Sequence, residues 1–185
     1  MCDVTQDAES TARAVRDLTW ARTPTLGDGR LVCVDGPAGS GKTTLASALA
    51  AQTGAPVVHT DDLLEGWEGL GRLAATLERL LGPLADGRPG RAPRYDWHAG
   101  RFVGSVVLEP APLLVVEGVG SGALPSARWA TVLVWVEAPY ELRMRRGLER
   151  AGDAFAPHWE AWARAEEVHF AEQGTRERAD VVVRG

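Results

Sequence analysis

One segment of the chain, GPAGSGKTT at residues 36–44, has the residue types and spacing of a phosphate-binding loop, G-x-x-x-x-G-K-[ST]. Its glycines allow a tight turn in which successive backbone N–H groups point towards phosphate oxygens, an approach that a Cβ atom would obstruct. Lys42 supplies a compact positive charge, and the hydroxyl of Thr43 is placed to bind Mg²⁺. The predicted ATP-binding residues are Gly36, Ala38, Gly39, Ser40, Gly41, Lys42, Thr43 and Thr44.

The basic residues of the chain give this lysine additional weight. Lys42 is the only lysine among 20 basic residues, and the chain contains neither Asn nor Ile. We interpret this bias as that of a GC-rich genome that uses Arg wherever it can. A guanidinium is bulkier and differently hydrated than an ammonium, so a phosphate loop is a place where Arg would substitute poorly.

Two acidic residues follow predicted strands and could complete a site for phosphoryl transfer to a hydroxyl. Such a site needs a carboxylate near the acceptor, ligands for Mg²⁺ and positive charge over the transferred group. Asp61 follows the strand predicted at 57–60 and is placed to receive the acceptor proton or to bind Mg²⁺. Glu117 follows a run of apolar residues and resembles the second acidic ligand that P-loop proteins carry on a neighbouring strand. The alternatives are that Asp61 or Asp62 caps the next helix, and that Glu117 is a solvated strand end.

Arginines are dense in the helix predicted to begin at Pro139. Arg143, Arg145, Arg146 and Arg150 lie within about two helical turns, so only some of them share a face. A helix that brings arginines over phosphates would stabilise the charge on the transferred group and exclude water. We predict this role first for Arg145 and Arg146. The alternative is a solvated face on which the arginines pair with acidic neighbours.

The segment 87–101 is rich in Pro, Gly and Arg around the aromatic run Tyr95–His98. We interpret it as a segment too irregular for a regular element and too aromatic for a spacer, and therefore as a substrate loop. Its rings could stack on a planar group while His98 donates to a hydroxyl; the alternative is that its aromatic rings pack against the core. The predicted substrate-binding residues are Asp62, Trp67, Tyr95, Trp97, His98 and Arg101.

Apolar strands alternate with helices along the chain, which predicts a parallel sheet with helices on both faces, a three-layer α/β/α arrangement. Strands are predicted at 30–35, 57–60, 102–108, 113–116, 131–136 and 180–183. Helices are predicted at 5–21, 44–51, 63–85, 139–150 and 159–172. The segment 63–85 is predicted to be mostly helix, with a start weakened by Gly66, Gly69 and Gly71. In the last helix Trp159, Trp162, Val168 and Phe170 are the apolar positions, and Trp129 and Trp135 are also assigned to the core.

Length and composition set the domain organisation and limit the partners. We expect the 185 residues to form one domain, with a helical appendage at 1–29 and an arginine lid at 139–155. A net charge of −5 gives no general attraction to nucleic acid or to an anionic membrane. The two cysteines cannot form a disulfide framework, and no run of about 18 apolar residues exists. We therefore expect a cytoplasmic protein that binds a small molecule, with homo-oligomerisation left open.

In their order along the chain, these pieces resemble the uridine kinase family of P-loop nucleoside kinases, a relative of the phosphoribulokinases. The resemblance runs from Leu31 to Gly185 and depends on the segments 36–43, 60–61, 95–97, 116–118, 145–146 and 179–185. It implies a P-loop NTPase fold, ATP and Mg²⁺ as cofactors, and an arginine lid over ATP. It also makes Asp61 the base near the metal. The predicted catalytic residues are then Lys42, Asp61, Arg145 and Arg146, and the predicted metal ligands are Thr43, Asp61 and Glu117.

These observations predict an ATP-dependent small-molecule kinase that phosphorylates an alcohol group. The resemblance favours a nucleoside such as uridine or cytidine as acceptor. One alternative is a kinase for a sugar, an amino sugar or another small alcohol, because the family's aromatic-Asp segment is replaced here by Glu65–Gly69. Another is a switch that only binds or hydrolyses ATP. A GTPase is not expected, because the guanine-reading motif N-K-x-D needs an Asn and the chain has none.

Overall fold

The computed structural model describes residues 4–151 and 156–185. Its strands are β1 (Arg30–Asp35), β2 (Val57–His59), β3 (Gly90–Asp96), β4 (Arg101–Leu108), β5 (Leu113–Glu117), β6 (Val132–Glu137) and β7 (Val181–Arg184). Its helices are α1 (Val4–Ala21), α2 (Lys42–Thr53), α3 (Leu70–Ala85), α4 (Leu124–Ala127), α5 (Tyr140–Ala151), α6 (Trp159–Gln173) and α7 (Thr175–Arg178). Residues 1–3 of the predicted appendage and 152–155 of the predicted lid lie outside the described residues.

A parallel sheet of five strands, in the order β2-β5-β1-β6-β7, forms the centre of the fold. Strand β1 lies in the middle, where Cys33 is in register with Val116 on one side and with Leu133 on the other. All residues of β5 are buried, as expected for a parallel strand covered on both faces. The strands predicted for this sheet are confirmed to within about one residue at each end, a difference within the usual uncertainty of such boundaries.

Helices cover both faces of this sheet. On one face, Val32 and Val34 of β1 belong to an apolar cluster with Val15 of α1 and Leu49 of α2. On the other face, a second cluster joins the sheet to the leucines of α3 and to the tryptophans of α6. The three-layer α/β/α prediction is thereby confirmed. Among the residues that the structure describes, none of the helices has the length and apolarity that a membrane crossing would require.

The prediction that 87–101 is an irregular segment is wrong, because β3 forms an antiparallel hairpin with β4, the strand that was predicted at 102–108. The two strands pair only with each other, so most of their side chains are exposed and the segment lacks the apolar run that marks a central strand. Pro93 lies at an irregularity in the register, where a missing N–H is tolerated. Gly90 anchors the hairpin, because a Cβ atom there would overlap the Leu80 carbonyl oxygen of α3.

Two helix predictions also need correction. Helix α3 begins at Leu70 rather than at residue 63, because a short 3₁₀ turn at Gly66–Glu68, entered through a positive φ at Gly66, interrupts the chain first. In α6 the predicted apolar position Val168 is 58% exposed. The buried face of that helix instead consists of Trp159, Trp162, Ala163, Glu166 and His169, so a carboxylate occupies one of its inward positions.

A charge cluster at the end of β6 leads to a prediction about acid stability. Hydrogen bonds from the Arg176 guanidinium, outweighing partial burial, hold the pKa of Glu137 at about 2. Because this pKa lies below that of the unfolded chain, the pair stabilises the fold above about pH 4.5 and loses its effect as the pH falls towards 2. Urea unfolding at pH 5 and at pH 3 measures the stability that is lost between these two pH values. This loss should be smaller for Glu137→Gln than for the wild type. Equal losses would contradict the assignment.

Candidate active site

The loop between β1 and α2 requires glycine at two positions where the backbone of a neighbouring element packs against it. Gly36 and Gly39 both have positive φ angles. A Cβ atom on Gly36 would overlap the Val136 carbonyl oxygen, and one on Gly39 would overlap the Arg143 carbonyl oxygen. The predicted turn is therefore formed, with β6 and α5 packed directly against it.

Backbone donors in this loop face an open cavity. The N–H groups of Gly39, Gly41, Lys42 and Thr43 donate to no other described residue, and all four residues line the cavity. Helix α2 begins at Lys42, and its N-cap, Gly41, offers no side-chain bond. Free N–H groups at a helix N-terminus form an anion site, because they carry the positive end of the helix dipole.

The Lys42 ammonium packs against the backbone of the phosphate loop. Its side chain is mostly buried, and Nζ donates to the Pro37 carbonyl oxygen at 2.9 Å. Burial lowers the pKa of Lys42, and the nearby negative charges, Glu166 first, oppose that shift. Lys42 thus places a positive charge among several carboxylates at the phosphate loop.

Asp35, the last residue of β1, ties this loop to the segment after β5. Its carboxylate is fully buried and accepts N–H bonds from Gly36 at 2.7 Å, Gly120 at 2.9 Å and Gly122 at 2.9 Å. Burial raises the pKa of Asp35 to about 6, against the effect of these bonds. The sequence analysis did not identify this residue, although an acid at the end of an apolar strand was a visible signal.

We predict that Asp35→Asn destabilises the protein by about 1–3 kcal/mol, because the amide group cannot accept the Gly122 N–H. Urea unfolding at neutral pH would measure the change. The exposed Asp86 is a suitable control, since Asp86→Asn should alter stability by less than about 0.5 kcal/mol. Equal stability of the two variants would contradict the role of Asp35.

Glu117 and Asp61 reach the same cavity as the loop. Glu117 is only 5% exposed, which rules out the alternative of a solvated strand end. Its Oε1 accepts from the Thr43 hydroxyl at 3.2 Å and lies 2.5 Å from His59 Nδ1, a partner that the sequence analysis missed. The alternative of a helix cap is also wrong, because the N-cap of α3 is Gly69 rather than Asp61 or Asp62.

The oxygen donors at this point fit Mg²⁺. Thr43 offers a hydroxyl, Glu117 a carboxylate, and Asp61 a second carboxylate on the wall of the cavity. No group of three or more His, Cys, Asp or Glu suited to a metal ion occurs in the part of the chain that the structure describes. Mg²⁺ does not need such a cage, since proteins usually hold it through one or two carboxylates together with phosphates and water.

The cavity has a volume of about 740 Å³, and Asp61 and Glu117 line it together with two further groups of residues. The first group is the phosphate loop, with Arg146 of α5 also on the cavity wall. The second group is aromatic and consists of Trp67, Trp97, His98 and Trp162. The structure therefore brings together most of the predicted site residues, although Gly36 and Ser40 do not line the cavity.

The tryptophan rings of this second group contact one another and form an aromatic wall. The Trp97 indole N–H donates to the Asp61 carbonyl oxygen at 2.9 Å, which holds this ring against the backbone of Asp61. Trp67 packs edge-on against Trp97, with ring centroids 4.9 Å apart, and stacks on His158 at 4.7 Å. Trp162, assigned to the core from the sequence, is buried and also lines the cavity.

Four predicted residues lie outside this wall. Asp62 faces Arg94 at 3.6 Å, and Tyr95 packs edge-on against Trp97. Arg101 is exposed on the hairpin, and Arg145 is exposed on α5. Arg146 reaches the cavity whereas Arg145 does not, because neighbouring residues of a helix point in different directions.

Comparison with known proteins gives a matching fold. A family model of the ATPase family associated with various cellular activities (AAA) matches residues 32–79. The solved structure of a possible uridine kinase from Bacillus stearothermophilus is similar, with a TM-score of 0.64, 21% identity and coverage of 96% of this chain and 98% of that one. A candidate fructose transport system kinase from Silicibacter sp. TM1040 gives a TM-score of 0.55 and 24% identity, over 95% of this chain and 98% of that one. No curated protein matches the sequence.

These likenesses establish the fold. The resemblance to P-loop proteins of the uridine kinase type is confirmed at that level, and the glycine loop lies inside the matched stretch 32–79. The chain has the P-loop NTPase fold.

Proposed function

We propose that the protein is an ATP-dependent, Mg²⁺-requiring kinase that transfers the γ-phosphate to a hydroxyl of a small molecule. The observation that carries this proposal is the position of Asp61, which lines the same cavity as the free N–H groups of the phosphate loop. Phosphoryl transfer to an alcohol requires a carboxylate near the acceptor and a phosphate site in the same cavity.

The residues of the cavity divide the work of the reaction. The loop N–H groups and Lys42 hold and orient the phosphates of ATP. Thr43 and Glu117, with Asp61 nearby, would hold Mg²⁺, which when bound neutralises charge on those phosphates. Asp61 accepts the proton of the acceptor hydroxyl, and Arg146 places positive charge near the transferred group.

A nucleoside is the first choice of acceptor. A planar base can stack on the aromatic wall formed by Trp67, Trp97 and Trp162, and the similarity to a possible uridine kinase supports this choice. A sugar or amino sugar is the second choice, because indole rings also pack on sugar rings and a candidate fructose transport system kinase shares the fold.

A panel of acceptors tests the proposal. The protein is incubated with ATP and Mg²⁺ alone, and then with single nucleosides, sugars and amino sugars, while ADP release is followed. We expect release to depend on one acceptor class and to stop when Mg²⁺ is chelated. ADP release at the same rate with every acceptor and with none would favour an ATP-hydrolysing switch and would overturn the kinase proposal.

A further inference from the structure

Glu166 of α6 is a buried carboxylate that the proposed reaction does not use. It is 2% exposed, and its Oε1 accepts the backbone N–H of Ala38 in the phosphate loop at 2.7 Å. Ala38 lies 128 positions earlier in the chain. Burying a carboxylate is costly, so its presence on the inward face of a helix calls for a role that an apolar residue could not fill.

Arg143 of α5 holds the other polar atom of the same loop residue. Its Nη1 donates to the Ala38 carbonyl oxygen at 3.2 Å and lies 3.6 Å from Glu166 Oε2. The N–H and the C=O of Ala38 are therefore each held by a side chain from a different helix. The two side chains also face each other as a charged pair.

These contacts fix two peptide planes, because the C=O and N–H of a trans peptide point in opposite directions. The Ala38 N–H belongs to the same plane as the Pro37 carbonyl, the group that receives Lys42 Nζ. The Ala38 carbonyl belongs to the same plane as the Gly39 N–H, one of the free donors of the anion site. The two contacts of Ala38 therefore orient the Gly39 N–H, which is proposed to bind phosphate, and the Pro37 carbonyl oxygen, which accepts from Lys42.

The same carboxylate oxygen also reaches the aromatic wall. The Trp162 indole N–H donates to Glu166 Oε1 at 2.7 Å, and Trp162 lines the cavity in contact with Trp67 of the aromatic wall. One oxygen atom therefore connects the phosphate loop with the acceptor wall.

We propose that Glu166 is a positioning residue that, together with Arg143, holds the phosphate loop in its nucleotide-binding form and links it to the acceptor wall. This role rests on the proposed function of the cavity as a nucleotide site. Glu166 itself touches no reacting atom, since it acts through Ala38 and Trp162.

Binding of ADP with Mg²⁺, measured by calorimetry, tests the proposal without knowledge of the acceptor. Glu166→Gln keeps the shape of the side chain but turns an amide group towards Arg143, so we expect affinity for ADP to fall about tenfold. The matched control is Glu167→Gln, an exposed change of the same charge one position along α6, with affinity within about twofold of wild type. Binding is measured well below the melting temperature of each variant, so that a loss of stability alone would leave the affinity unchanged.

Arg143→Gln gives a second variant that leaves the buried carboxylate in place. It should also weaken ADP binding. The affinity of the double variant for ADP should lie within about twofold of that of the weaker-binding single variant, because both changes release the same loop. Wild-type affinity in Glu166→Gln, or fully additive losses in the double variant, would overturn the proposal. A wild-type protein that binds no ADP would overturn it together with the proposed function, whereas ADP binding without any active acceptor would contradict only the kinase activity.

Discussion

Asp61→Asn is expected to lower acceptor-dependent turnover by about 10²-fold or more while leaving nucleotide affinity largely intact. The amide has nearly the same shape as the carboxylate, but it cannot accept the proton of the acceptor hydroxyl. Asp61 lines the cavity but is not part of the loop, so the N–H groups that hold the phosphates stay in place. Turnover is measured as ADP release with the acceptor found in the panel, and affinity as ADP binding by calorimetry.

Asp62 provides the comparison for this prediction. It lies next to Asp61 in the 3₁₀ turn Thr60–Asp62, but its carboxylate faces Arg94 and it does not line the cavity. Asp62→Asn should therefore change turnover much less than Asp61→Asn. Near-normal turnover in Asp61→Asn would remove this carboxylate from the chemistry, and equal losses in both variants would indicate a disturbed turn instead of a missing base.

The parts of the site that the sequence predicted are those encoded by neighbouring residues. The glycine loop, its lysine and the helix that follows are contiguous, and the turn needs only local backbone freedom. Strand β5 is a short apolar run that ends in Glu117. The sequence therefore predicted both the strand and the position of Glu117 at its C-terminal end. Asp61 was found for the same reason.

Contacts between distant segments could not be read in this way. Glu166 meets Ala38 only because α6 packs beside the phosphate loop, and no periodicity specifies which loop atom a buried carboxylate will reach. The choice among Arg143, Arg145 and Arg146 depends on how α5 is rotated against that loop, a tertiary property. A signal was nevertheless present, since Glu166 follows Trp162 by four residues and so had to lie on the same helical face.

Strand β3, unlike its partner β4, was missed for a different reason. The two strands of the hairpin pair only with each other, so few of their positions are buried and the usual alternation is weak. Pro93 in the middle of β3 also argued against a strand. The aromatic residues were nevertheless assigned usefully, because Trp97 lies in the turn of the hairpin and lines the cavity.

Lys42→Ala is expected to lower kcat/KM for ATP by about 10²-fold or more, whatever the acceptor. The ammonium lies among the carboxylates of Asp35, Asp61, Glu117 and Glu166, all of which support its charge. Without it, the negative charges near the phosphate loop would repel the phosphates that the N–H groups attract. Initial rates over a range of ATP concentrations, with ADP binding measured in parallel, would give the loss.

Lys42→Arg separates the charge of this residue from its shape. The side chain is mostly buried, and its Nζ fits against the Pro37 carbonyl oxygen at 2.9 Å, so a planar guanidinium has no equivalent place there. We therefore expect Arg to restore little of the activity lost with Ala, in a chain where every other basic residue is already Arg. Full activity in Lys42→Arg would mean that only the charge matters, and full activity in Lys42→Ala would contradict the assignment of this loop as the phosphate site.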